Sequence, residues 1–333
     1  MKKSPIALFF AFTVLLAQPM AADLKLAKEY WSLGQESFDA KSYENAVSYF
    51  QKAADIGLAE AQYSLGKCYY NGQGVAKNYE EAFGLFFKAA AQGNSDGENA
   101  VGRCYYIGSG VAKNYEKALE WFKKSAEQGD AESQCFVGAM YYYGQGIKQD
   151  YEKAFEWYLK SAEHGYSQKW YYAEALSMVA SMYFEGTGVA QDLKKAFEWV
   201  SKAAEQNHVG AQYNLGSMYE YGKGVPKDYK KAFEWFSKAA EQGFDEAQYC
   251  LGKMYVYGQG VPQDYKKAFE WFQNAAIQGH PNAQYLLGLM YRYGWGVPVD
   301  YSEAKEWMKI AAENGNPDAK KSLEELENFI DTE

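Results

Sequence analysis

The sequence predicts an all-α protein, a solenoid of stacked helical hairpins, and three observations carry that expectation. A Gly-x-Gly pair recurs at Gly72/Gly74, Gly108/Gly110, Gly144/Gly146, Gly186/Gly188, Gly222/Gly224, Gly258/Gly260 and Gly294/Gly296, with five intervals of 36 residues and one of 42. Alanine keeps the same phase at Ala46, Ala82, Ala118, Ala154, Ala196, Ala232, Ala268 and Ala304, and tryptophan at Trp121, Trp157, Trp199, Trp235, Trp271 and Trp307. Within a unit the apolar residues follow a helical period, as Ala211, Leu215, Gly216, Met218 and Tyr219 show. A lone hairpin cannot bury its apolar face, so neighbours must stack.

Each unit reads as two helices, typified by AQYNLGSMYEYG and KGVPKDYKKAFEWFSKAAEQG. The second opens at Asp228, matched by Asn78, Asn114, Asp150, Asp192, Asp264 and Asp300, side chains that accept from the free N–H groups of a first turn. It closes at Gly243, matched by Gly93, Gly129, Gly165, Asn207, Gly279 and Gly315, residues that tolerate a left-handed conformation. Pro281 and Pro317 stand where a following helix should begin. Gly66, Gly102, Gly138, Gly216, Gly252 and Gly288 share one site inside the first helix, with Ala180 in the fourth unit. Glycine there costs about 1 kcal/mol relative to alanine, so its recurrence predicts close helix approach.

Composition closes off several classes. Of 333 residues 48% are hydrophobic and 18% aromatic, and seven prolines with no low-complexity run argue against a long disordered region. Four cysteines are too few for a disulfide scaffold. A formal charge of −9 disfavours non-specific binding of duplex nucleic acid, which needs a concentrated positive face. Residues 1–22 read as a secretory signal: Lys2 and Lys3, an apolar run from Ile6 to Ala17, then Ala21 and Ala22. The run is shorter than the roughly 20 residues that span a bilayer. The expectation is cleavage after Ala21 or Ala22 and export to the periplasm or the medium.

The pattern LGxMYxxGxGVxxDYxKAxEWFxKAAEQG resembles the Sel1-like repeat, a relative of the tetratricopeptide repeat, in seven phased copies over residues 59–316. Residues 23–58 read as an irregular first hairpin that keeps Gly34, Ala46, Phe50 and Ala53 in tetratricopeptide-like spacing; 317–333 read as a capping helix, Asp318–Phe329, and a tail. An insertion near 166–175, with Trp170, Tyr171 and Tyr172, is expected to lengthen a junction or bend the array. The resemblance implies a right-handed superhelix acting as a protein-interaction scaffold, often in bacterial envelopes or secreted. It also implies that first helices line the concave face. Carried over residue by residue, the ligand-facing positions are Tyr63, Lys67 and Tyr70; Asn99, Arg103 and Tyr106; Cys135 and Tyr142; Ser177 and Phe184; Tyr213 and Ser217; Tyr249 and Lys253; Tyr285 and Arg292. Tyrosine and arginine are favoured at binding hot spots. Many of the tyrosines have a plainer explanation, as covers for neighbouring helices.

Residues that suggest chemistry have structural explanations. The Gly-x-Gly pairs lack the third glycine and preceding strand of a dinucleotide fingerprint and read as turns. His164, His208 and His280 each adjoin the residue that ends a second helix, where a protonated ring is mildly favourable, and their spacing offers no metal site. Ser64-Leu65-Gly66-Lys67 matches the Ser-x-x-Lys tetrad of penicillin-recognising hydrolases, but no Ser-Asp-Asn or Lys-Thr-Gly accompanies it. Cys68 and Cys104 stand where other units carry methionine, and all four cysteines are expected unpaired. The paired cysteines of the family's cysteine-rich branch are missing. The six phased tryptophans read as inter-hairpin packing.

The expected function is a non-enzymatic, exported scaffold or adaptor whose Tyr-rich concave face holds a protein or peptide partner in the envelope or outside the cell. No cofactor, metal, nucleic acid or stable membrane insertion is expected. The alternatives are a β-lactam or amide hydrolase, as associated with some cysteine-rich relatives, and an architectural role in cell-wall or exopolysaccharide assembly.

Overall fold

The computed structural model describes residues 21–164 and 170–330. Among the described residues there are seventeen α-helices and no strand, in two compact units divided between Ser125 and Ala126. The first unit holds α1 (Ala21–Asp39), α2 (Tyr43–Ile56), α3 (Ala59–Asn71), α4 (Tyr79–Ala90), α5 (Ser95–Ile107) and most of α6 (Tyr115–Glu127). The second holds α7 (Ala131–Tyr143), α8 (Tyr151–His164), α9 (Trp170–Glu185), α10 (Leu193–Glu205), α11 (Val209–Tyr221), α12 (Tyr229–Glu241), α13 (Asp245–Tyr257), α14 (Tyr265–Ile277), α15 (Pro281–Tyr293), α16 (Tyr301–Glu313) and α17 (Ala319–Ile330). Within each unit consecutive helices pair as hairpins, and the second helix of one hairpin packs on the first helix of the next.

The second helices begin where the acid or amide side chains stand. Asp228 Oδ1 accepts from the N–H groups of Lys230 and Lys231 at 3.0 and 3.1 Å, and Asn78, Asp192, Asp264 and Asp300 repeat the geometry. Just past their ends Gly93, Gly243, Gly279 and Gly315, and Asn207 in the fourth unit, adopt positive φ.

The Gly-x-Gly pair has two tasks. Its first glycine ends the first helix in the left-handed region, as Gly222 does at φ 68°. Its second glycine is an inter-repeat contact: a methyl on Gly260 would stand 2.2 Å from the carbonyl oxygen of Tyr229, which opens the preceding second helix. Gly74 against Tyr43, and Gly224 against Leu193, repeat this. The glycine inside the first helix admits a ring from its partner helix. A methyl would lie 2.6 Å from Phe86 at Gly66 and 2.4 Å from Phe272 at Gly252. In the fourth unit alanine replaces the glycine, and the ring position holds Val200, which is also buried.

A buried glutamine joins neighbouring hairpins. Gln248 Nε2 donates to the Ala240 carbonyl at the end of α12, which also accepts from the Gly243 N–H, while its Oε1 accepts from Gln278, just past α14, at 2.8 Å. Gln62, Gln212 and Gln284 take the same two roles. The tryptophans pack between hairpins: Trp121 lies against the cluster of Ala82 and Phe86, and Trp271 against that of Ala232 and Phe236. A lysine one turn on covers the ring, as Lys238 does over Trp235 at 3.8 Å.

The expected signal segment falls on residues 1–20 for its basic start and apolar run, which lie outside the described residues. So do residues 165–169, which take in the first part, 166–169, of the expected insertion. Its described part does not form a loop; Trp170, Tyr171 and Tyr172 open α9, which has 16 residues where neighbouring first helices have 13. Trp170 rests edge-on against Phe136 of α7, with ring centres 5.7 Å apart. At the far end Asn316 Oδ1 accepts from the N–H groups of Asp318 and Ala319 and caps α17.

Candidate partner-binding clefts

Among the described residues, clefts open between the first helices of neighbouring hairpins, and three of them, each inside a single unit, carry the residues of interest. The cleft between α3 and α5 has a volume of about 160 Å³ and is floored by Phe86 of α4. The α9/α11 cleft, about 270 Å³, is floored by Val200 of α10. The α13/α15 cleft, also about 270 Å³, is floored by Phe272 of α14. The walls come from the same repeat positions each time, because the first helices present one face to their neighbours.

The α3/α5 cleft brings together five residues that the sequence nominated: Tyr63, Lys67, Tyr70, Asn99 and Arg103. Phe184 and Ser217 line the α9/α11 cleft, and Lys253 the α13/α15 cleft. The remaining nominees line none of the three. Tyr106 packs on Tyr115 and Phe122, and Tyr142 on Tyr151. Tyr213 lies against Phe236 and Phe244, with ring centres 5.7 and 5.3 Å away. Tyr249 stacks on His280 at 4.6 Å. Burial pushes the Tyr213 and Tyr249 hydroxyls up from their ordinary range. Tyr285 and Arg292 face the cap: Tyr285 Oη is 3.0 Å from Ser322 Oγ, and Arg292 is 4.0 Å from Glu325.

Two wall positions escaped the sequence argument. Tyrosine immediately before the helix-ending glycine is the more exposed ring of each MYxYG run; Tyr257 is 67% exposed and Tyr221 59%, and each lines a cleft. The residue between the paired glycines also reaches the walls, as Lys223 and Trp295. Trp295 stacks on Tyr293 at 5.0 Å and Tyr265 at 6.3 Å. The available signal was Trp295 itself, a tryptophan outside the 36-residue phase.

The histidines need a correction. His208 and His280 do not serve the helix end behind them; they cap the helix ahead. Nδ1 of His280 accepts from the N–H of Ala283 at 3.2 Å, and Nδ1 of His208 from Ala211 at 3.0 Å. An accepting Nδ1 must be unprotonated, so this geometry opposes the charged ring that a helix C-terminus would favour. Burial lowers the His280 pKa accordingly, with nearby Asp245 acting in the opposite direction. His208 Nε2 also lies 3.2 Å from a Glu174 oxygen.

Ser64 Oγ accepts from Trp31 Nε1 at 3.2 Å and Gln35 Nε2 at 3.3 Å, which ties α3 to α1. Cys68, Cys104, Cys135 and Cys250 are all free thiols. Burial raises Cys68 and Cys104 to about 11 and Cys250 to about 12, away from thiolate reactivity. Among the described residues no group of three His, Cys, Asp or Glu could hold a metal ion, and no helix is long and apolar enough to cross a membrane.

Hairpins joined by capped ends, glutamine bridges and shared glycine contacts define a helical repeat protein. The Sel1 repeat model matches residues 21–58, 59–94, 95–130, 131–166, 173–208, 209–244, 245–280 and 281–316, and the chain belongs to the Sel1 repeat family. The first match takes in the hairpin that lacks the glycine pair. Among solved structures the chain is similar to c5321, a protective antigen present in uropathogenic Escherichia coli strains that displays an SLR fold. The two share 33% identity over 89% of this chain and 63% of that one, with a TM-score of 0.82. It is also similar to a Sel1 repeat protein from Oxalobacter formigenes, at 35% identity over 90% of this chain and 86% of that one, with a TM-score of 0.68. A shorter similarity, 45% over 51 residues, links it to the DAP3-binding cell death enhancer 1 of Rattus norvegicus, over 15% of this chain and 10% of that protein. The chain thus spans about a tenth of that curated relative. Sel1-repeat proteins generally mediate protein–protein interaction, and most are non-catalytic scaffolds.

Proposed function

We propose that this protein is an exported, non-enzymatic scaffold that holds a segment of a partner protein in the clefts between its first helices. The observation that supports the reading most directly is the recurrence of a cleft at one repeat position, walled by tyrosine and by Lys67, Arg103, Lys223 or Lys253. Large rings with polar edges, set beside flexible cations, suit an interface whose core excludes water. Export follows from the reading of residues 1–22 as a signal segment.

A photo-crosslinking residue placed at Arg103, Tyr221 or Tyr257, and separately at Lys160 or Lys238 on second helices, tests the reading in intact cells. One defined protein adduct from the cleft positions, weak or missing from the second helices, is the expected result. Equal adducts from both sets, or none from the clefts, would move the function elsewhere. Fractionation of the same cells tests export, and full-length protein retained in the cytoplasm would remove that part.

A further inference from the structure

The fourth repeat changes the floor of its cleft. At the α3/α5 cleft a phenyl ring of the second helix lies against the in-helix glycine: a methyl on Gly66 would stand 2.6 Å from the Phe86 ring and 3.3 Å from the Ala82 carbonyl oxygen. That ring separates the cleft from the helix surface beneath it. The α3/α5 cleft therefore reaches Phe86 but neither Gly66 nor Ala82, and the α13/α15 cleft reaches Phe272 but neither Gly252 nor Ala268. In the fourth repeat the ring position is Val200, and the α9/α11 cleft is bordered by Val200, Ala180 and Ala196, the counterparts of all three residues. The alanine methyl at position 180 replaces only part of what the change from phenylalanine to valine removes.

The result is a concave site of about 270 Å³ whose base is Ala180, Ala196, Val200 and Met218, each at most 4% exposed. An apolar cavity of about 150 Å³ is already large enough to hold a benzene ring. Polar groups stand nearer the rim, where Ser181 and Ser217 are half-buried and Asn214 and Tyr221 exposed. The rim carries one acid, Glu185, and one cation, Lys223, whose Nζ lies 4.9 Å from the Phe184 ring centre. Opposite charges on a solvated rim offset one another, so the charge pattern suits a neutral side chain, and the apolar base supplies its attraction.

We propose that the α9/α11 cleft seats the ring of a phenylalanine from the partner segment, in the place that Phe86 and Phe272 fill in their own repeats. The inference rests on the scaffold reading and names the side chain that anchors the partner at one of its clefts.

The test uses the full chain and fluorine NMR, with N-acetyl-para-fluorophenylalanine amide as the probe. Its signal is expected to shift saturably at roughly millimolar concentration. N-acetylphenylalanine amide should displace it about tenfold or more better than N-acetylalanine amide, and affinity should change less than about twofold between about 50 and 300 mM salt. The double variant Ala180→Gly/Val200→Phe installs the pair that Gly66 and Phe86 form, and it should bind the probe about tenfold or more weakly than the wild type. The proposal would be overturned by a lack of saturable binding, equal displacement by the alanine amide, a steep loss with salt, or affinity that the double variant keeps. Free phenylalanine displacing the probe about tenfold better than its blocked amide would assign the cleft to an amino acid and likewise overturn it. The displacement and salt comparisons need no variant, so they decide the matter even if the double variant melts early. Should no ring bind while the cleft positions still crosslink a partner in cells, the anchor falls and the scaffold reading stands.

Discussion

The α3/α5 cleft and the α13/α15 cleft are cut from one repeat, yet one wall is cationic and the other aromatic. Their floors are alike: Phe86 and Phe272 each press on an in-helix glycine of the neighbouring first helix. Their walls are unlike, with Lys67, Asn99 and Arg103 in one and Val256, Tyr257 and Trp295 in the other. The floor residue touches the next helix and must conserve shape; a wall residue borders open space, so its charge and size can change at little cost to stacking. The repeat therefore separates residues that build the array from residues that give each cleft its chemistry.

The sharpest way to break this comparison is at the contact both regions share. Gly260→Ala would place a methyl 2.2 Å from the Tyr229 carbonyl oxygen at a φ of +71°. A loss on the order of 3 kcal/mol or more is expected in chemical denaturation, with a similar loss for Gly74→Ala. A loss below about 1 kcal/mol would mean that the second glycine serves only its own turn.

Next in size is the floor. Gly252→Ala forces a methyl to 2.4 Å from the Phe272 ring and should cost about 1–3 kcal/mol. The fourth unit already pairs Ala180 with Val200, so Gly252→Ala combined with Phe272→Val should cost less than the sum of the two single changes. Strict additivity in that cycle would show the two positions to be independent.

Gln248→Leu removes the hydrogen bonds that tie the Ala240 carbonyl and the Gln278 amide across the hairpins, although the carbonyl keeps the Gly243 N–H and the amide keeps the Asn274 carbonyl, and should cost about 1–2 kcal/mol, in a unit where Leu176 already fills the equivalent place of the fourth repeat. An unchanged denaturation midpoint would remove the glutamine from the set that builds the array.

The smallest effect separates the two regions by pH. Asn94 caps α5, accepting from the Gly97 N–H at 2.8 Å, while His280 does this for α15. Because burial lowers the folded-state pKa of His280, its cap is fully present above the ordinary histidine range. The contribution is lost as pH falls through the lowered value. It should amount to about 1 kcal/mol and vanish in His280→Asn, a comparison made by melting at pH 7.5 and 5. A wild-type melting point that falls no further than the variant's would discount the accepting ring.

The helices, their caps and the fold family were legible because each signal is short-range. Asp228 reaches N–H groups two and three residues away, and Gly222 closes the helix it follows. The clefts were half legible. Lys67, Asn99 and Arg103 were placed at a cleft by register, yet Tyr213, Tyr249 and Tyr285 share that register and turn out to pack on rings or on the capping helix. Tyr221 and Tyr257, one residue past the register used, hold the exposed positions. The histidine role was inverted because both neighbouring helix ends lie within three residues in the chain, and only the hydrogen bond decides between them.

By itself the sequence determined where each helix starts, where it stops and how often the pattern returns, since those depend on backbone conformations and side chains a few residues apart. Only the tertiary structure decided which side chains face open space. A tyrosine on a first helix is covered or free according to the ring beneath it on the second helix and the wall beside it on the next hairpin, about 20 to 40 residues away in the chain. No local pattern encodes the distance between them.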